Sequence, residues 1–161
     1  MVQSLPEVWA DKNFAVVHLG PFTELRQFAF ATPKFPREVE GKVFLKQLLN
    51  LTGAEISLNN LPAGKSVPFY HKHQLNEEIY IFVQGQGEFQ VDGQIFPVHQ
   101  GSIVRVAPEG ERCLRNVSDR KDLCWVVIQA RAGSYSDHTI EDGVGVAKKV
   151  TWVSKHSQKV D

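Results

Sequence analysis

From Lys42 onward, apolar residues come in short runs that recur about every ten positions and stop at glycine or polar turns. Val43-Phe44-Leu45 and the stretch from Ala54 to Leu58 are two such runs, bounded by Asn50 and Gly53. Ile79-Tyr80-Ile81-Phe82-Val83 is a longer one and ends at Gly85-Gln86-Gly87. Glu88-Phe89-Gln90-Val91 alternates polar with apolar and meets Asp92-Gly93, a two-residue hairpin signal, after which Gln94-Ile95-Phe96 returns. Gly101, Pro108 and Gly110 bracket Ile103-Val104-Arg105-Val106, and Leu123 to Gln129 follows a polar turn at 118–122. Period-two runs of this length with such turns predict an all-β, antiparallel sandwich or barrel.

The flanks read differently. Residues 1–40 are punctuated by Pro6, Pro21, Pro33 and Pro36, with one strand-like run from Phe14 to Leu19 and a short helical turn expected over Glu24 to Ala29. They form an N-terminal arm packing on a barrel at 41–130. Residues 131–161 extend the same domain, with a possible strand over Val150 to Val153.

Composition narrows the classes of function. A chain of 161 residues is long enough for one domain with a real core. Lys plus Arg and Asp plus Glu both number 18, without the basic stripe that nucleic-acid binding needs. No apolar stretch approaches a bilayer span, and no signal-peptide pattern opens the chain. Cys113 and Cys124 lack metal-type spacing and read as reduced thiols, so the expectation is a soluble, cytoplasmic protein.

The chemistry concentrates at His71-Lys72-His73 and Glu78. Histidines at i and i+2 on a strand share one face, and a nearby carboxylate completes two imidazoles and one oxygen. That set suits a divalent transition metal and leaves coordination positions open for a substrate. On one flat strand, residue 78 would face away from His73, so a bulge or turn at Gln74-Leu75-Asn76 must restore its facing. Glu77 has the matching parity and is the rival ligand. Tyr80 and Phe82 follow Glu78 on its face and fill the interior. Tyr80 is also a candidate proton donor. His18, His99, His138 and His156 read as surface residues, Glu111 as a solvated turn residue, Trp125 as core or interface, and Cys124 as a buried small hydrophobe.

These residues resemble the cupin superfamily. Its first motif is G-x5-H-x-H-x3,4-E-x6-G; here six residues separate Gly64 from His71, and six separate Glu78 from Gly85. Gly101, six residues, Pro108, one residue, Gly110 and then Asn116 resemble the second motif. The resemblance spans about residues 40 to 130. It implies a double-stranded β-helix, or jelly-roll barrel, whose metal is held by three histidines and a glutamate. His71, His73 and Glu78 then match first-motif ligands, but the second-motif histidine is missing. Counting from Gly110 lands on Cys113, a possible thiolate ligand; counting back from Asn116 lands on Arg112. Strand parity favours Arg112 facing inward with Leu114, where a guanidinium can clamp a substrate carboxylate.

The resemblance implies a divalent transition metal (zinc, iron, nickel or manganese) and a small-molecule substrate or ligand, in some members a carboxylate. Dioxygenase, isomerase and decarboxylase chemistry all occur on this fold, which does not choose between them. The alternative is a metal-poor binding or sensing module without turnover. The resemblance also implies a homodimer.

Overall fold

The computed structural model describes residues 2–34 and 37–152. Eight strands make the body: β5 (Lys42–Phe44), β6 (Glu55–Leu61), β7 (Asn76–Gln84), β8 (Gln86–Val91), β9 (Gln94–His99), β10 (Ile103–Val106), β11 (Arg112–Asn116) and β12 (Leu123–Arg131). They pair antiparallel into a five-stranded sheet, ordered β10-β7-β12-β6-β5, and a three-stranded sheet, ordered β11-β8-β9. Two small ribbons precede them, β1 (Trp9–Asp11) with β2 (Phe14–Val16), and β3 (Ala29–Phe30) with β4 (Val39–Glu40).

Alternation decides what lies between the sheets. On β7 the side chains of Glu78, Tyr80 and Phe82 are buried, while Ile79, Ile81 and Val83 lie on the other face. Tyr80 and Phe82 join Phe89, Val98, Val106, Leu114, Leu123, Trp125 and Val127 in the interior core. Phe89 meets Tyr80 edge-on at 4.8 Å between ring centroids. The β8–β9 turn places Asp92 at φ 48° and Gly93 at φ 81°, the paired left-handed residues that two-residue hairpins favour.

The opposite face of β5 and β6 is covered by the arm. Leu19, Leu25 and Phe28 bury against Val43, with Val17, Phe22, Leu45, Leu48 and Leu58 around them. Val43 and Leu58 are register partners on that face, which leaves Lys42, Phe44, Ser57 and Asn59 pointing into the barrel.

The local expectations mostly held, with informative exceptions. The helical turn is a 3-10 helix over Phe22–Gln27. The run from Phe14 stops pairing at Val16. Leu45 leaves the strand to start a one-turn helix, α1 (Lys46–Leu49), closed by Asn50 at φ 55°. Leu45 and Leu48 both pack under the arm, so burial there wins over strand propensity. No strand forms over residues 150–152, which are exposed; Val153 and His156 lie outside the described residues.

Candidate metal centre

Two elements bring the three predicted ligands together. His71 lies in a segment that follows β11 through isolated bridges, Ser66 with Arg115 and His71 with Arg112. His71 N–H donates to the Arg112 carbonyl at 3.3 Å, and His73 N–H to the Pro108 carbonyl at 2.9 Å. The chain then bends at Gln74 and Leu75 and enters β7 at Asn76, which resets the alternation. Glu78 therefore faces inward. Glu77 faces outward, where its carboxylate accepts from Arg105 Nε at 2.7 Å and pairs with Arg105 Nη2 at 2.6 Å. The rival ligand is thus committed to an ion pair outside the barrel.

One donor atom from each of His71, His73 and Glu78 lies within 4.8 Å of the others. His71 Nε2 is 3.7 Å from Glu78 Oε2, and His73 Nε2 is 3.0 Å from Oε1. The acid side chain is only 3% exposed, while His71 and His73 retain 36% and 24%. The carboxylate thus forms a floor and the imidazoles a rim open to small molecules.

The two carboxylate oxygens have different duties. Oε2 accepts from Arg112 Nε at 3.0 Å, Arg112 Nη2 at 2.8 Å and the Tyr80 hydroxyl at 2.5 Å. Oε1 is left facing His73. Burial alone would raise the acidity constant of Glu78. The neighbouring His71 imidazole, hydrogen bonds from Tyr80 and Arg112, and the arginine charge together outweigh that and hold it well below the usual carboxylate range. Burial and then the Glu78 charge push the Tyr80 phenol well above its ordinary value. Tyr80 thus keeps its proton and donates a hydrogen bond to Glu78.

A divalent cation fits this donor set. Two neutral imidazoles and an ionised carboxylate are suitable ligands; Oε1, the oxygen not bonded to Arg112, faces His73, while His71 stands nearer Oε2. His71 Nδ1 and His73 Nε2 are buried without a hydrogen-bond partner; the short approach of His73 to Oε1 lacks hydrogen-bond alignment. Buried polar atoms in that state are costly unless another group binds them.

At the missing histidine position the structure chooses Arg112. Its side chain is fully buried, and Nη1 donates to the carbonyls of Gly110 at 2.8 Å and Pro108 at 3.4 Å. With two further bonds to Glu78, one of its five N–H groups remains. The clamp expected for an outside carboxylate holds the protein's own carboxylate instead. Cys113 faces the other way; its thiol donates to the Val67 carbonyl at 3.4 Å, and burial raises its pKa. It is not among the converging donors. His18, His99, His138 and Glu111 are exposed, and Trp125 and Cys124 are buried. An apolar groove of about 610 Å³ between the arm and β6 shares no residue with the triad and lacks its ligand chemistry.

Lys42 escaped the sequence reading. It opens the inward alternation of β5, yet only pairing with Asn59 shows that a cation points into the barrel.

Comparison with known proteins agrees with this architecture. Residues 58–129 match the family described as Cupin domain. A solved cupin protein of Bacteroides fragilis is 43% identical, with a TM-score of 0.62, covering 65% of this chain and 88% of that one. A predicted oxalate decarboxylase of Thermotoga maritima is 26% identical, with a TM-score of 0.51, over 59% of this chain and 82% of that one. An uncharacterized protein of Methanocaldococcus jannaschii is 28% identical over 82 residues, which is 51% of this chain. The matched region spans 60% of that curated relative's length. With two antiparallel sheets closed over an aromatic core and relatives of this kind, the chain belongs to the cupin superfamily.

Proposed function

We propose that this cupin binds one divalent transition metal through His71, His73 and Glu78 and acts on a small organic anion. The convergence of three donor atoms within 4.8 Å, on a floor that excludes water from Glu78, carries the reading. When bound, such an ion supplies Lewis acidity, or oxygen activation if it is iron. Arg112 and Tyr80 fix the rotamer of Glu78 and keep it ionised, so they are positioning residues for the ligand oxygen. The half-buried imidazoles of His71 and His73 form the side of the centre nearer solvent, from which the substrate enters. Likeness to a predicted oxalate decarboxylase favours a carboxylate-bearing molecule.

A second reading, a binding module without turnover, draws support from Arg112. A buried cation in place of a fourth ligand opposes a second positive charge nearby. Elemental analysis after incubation with Mn²⁺, Fe²⁺, Ni²⁺ or Zn²⁺ and desalting tests the metal. The expected result is close to one ion per chain, lost in His71→Ala. Protein that stays metal-free with all four ions would end the first reading. Turnover of small carboxylates by the loaded protein, against simple binding, separates the two.

By the same resemblance we propose a homodimer. β10 is an edge strand with Ile103 68% exposed, and sedimentation velocity reads the mass. The free thiols Cys113 and Cys124 fit a reducing, cytoplasmic setting, which fractionation of cells checks.

A further inference from the structure

We propose that Lys42 is a second ligand anchor inside the barrel, taking the far carboxylate of a small dicarboxylate whose other end sits at the His71–His73–Glu78 centre. The inference rests on the metal-site reading and deepens it by naming the ligand class and the residue that selects it.

The register places this cation. Lys42, Asn59, Trp125 and Phe82 form one cross-strand row on the inner face, and Phe44, Ser57, Val127 and Tyr80 form the next row toward Glu78. The ammonium reaches into that second row. Lys42 Nζ donates to Asn59 Oδ1 at 2.7 Å and Ser57 Oγ at 3.3 Å, and stands 4.7 Å over the Phe44 ring. It therefore leans toward the metal-site end of the sheet.

Its partners are all neutral. Among the described residues no carboxylate lies within ion-pair distance of Lys42, and two of its three protons are assigned. Glu78 and Glu55 act on it only from a distance, and both are engaged elsewhere: Glu78 with Arg112 and Tyr80, Glu55 with the Lys46 N–H at 2.9 Å. Burial brings its pKa down to about 8, so the amine stays mainly protonated at neutral pH but lacks full compensation. A largely buried ammonium without an acid beside it is expensive to keep for stability alone. An anion arriving from outside completes it.

Arg112 is less suited to that part, because Glu78 already pairs its charge and, with two carbonyls, takes four of its five N–H donors. Between Ser57 on β6 and Glu78 on β7 lies only β12, and Glu78 is two residues further along than the position level with Ser57. The two backbone positions are thus separated by roughly 12 Å at the usual strand spacing and rise. Val127 and Gln129 provide the intervening inner-face positions. A dicarboxylate of about four or five carbons, reaching from the Lys42 ammonium to the centre, matches that separation better than a one-carbon anion does.

Calorimetric titration of succinate into wild-type protein and Lys42→Met, each metal-free and Mn²⁺-loaded, tests the proposal. The expected result is at least tenfold weaker succinate binding in Lys42→Met, with Mn²⁺ affinity unchanged within twofold and acetate binding unaffected. In wild-type protein the ¹³Cε resonance of Lys42 should shift as succinate is added, a readout that does not depend on the variant folding. Equal succinate affinity of the two proteins in both states, no succinate binding at all, or an unmoved Lys42 resonance would overturn the anchor. Failure to bind Mn²⁺ alone overturns the metal reading, while the metal-free titrations still judge Lys42.

Discussion

Glu78 and Arg112 form a buried pair in which neither charge can reach water, and their energetics differ from those of the surface pairs around them. Arg115 with Glu88 and Arg105 with Glu77 sit where solvent screens them and are worth at most about 1 kcal/mol each. Removing one member of the inner pair strands the other. Glu78→Leu and Arg112→Met are each expected to cost about 3–5 kcal/mol in urea unfolding of metal-free protein. The double variant should lose much less than the sum; a coupling below about 0.5 kcal/mol would count against the pair. Lys42 makes the opposite kind of contribution. Its folded pKa of about 8 lies below its ordinary 10.5, so the unfolded chain binds more protons between those values. Stability should therefore rise with pH across that window, by on the order of 2–3 kcal/mol relative to Lys42→Met. Urea titrations of both proteins at pH 7.5, 9 and 10.5 give the difference.

Turns set which side chains the strands deliver. Gly85 and Gly64 both have positive φ, at 85° and 68°, but they differ in the space around them. A Cβ on Gly85 would come within 2.3 Å of the Asp122 carbonyl oxygen, between β7 and the start of β12. One on Gly64 meets nothing within 4 Å. Gly64→Ala is expected to cost about 1–2 kcal/mol, from backbone strain alone. Gly85→Ala should cost clearly more, because backbone must move as well. Chemical denaturation of the two variants compares them directly. The bend at Gln74 and Leu75 matters in the same way, since it turns Glu78 rather than Glu77 toward the imidazoles.

The arm and the barrel share one sheet but use its two faces. Leu25 is fully buried against the outer face of β5 and β6, and the interior cluster lies on the other side. Leu25→Ala should destabilise the protein by about 2–5 kcal/mol through the cavity it leaves. It should leave metal stoichiometry unchanged, as thermal unfolding and elemental analysis together would read. A loss of metal in that variant would mean the arm holds the site as well as the sheet.

Much of this protein was legible in the order of its residues. Period-two runs, the Asp92-Gly93 turn and the spacing around His71, His73 and Glu78 depend on local geometry, so they can be read without knowing what packs on what. Parity likewise put Arg112 inward with Leu114. Shorter elements left no such trace: strands of two or three residues, as in β1, β3 and β4, are too brief to alternate. The duties of the polar side chains depended on long-range pairing. Arg112 meets Glu78 across 34 positions of sequence, and Lys42 meets Asn59 across 17. Periodicity tells which face a residue takes, but only the closed fold, by bringing distant strands into register, supplies the partner that fixes its charge and its donors.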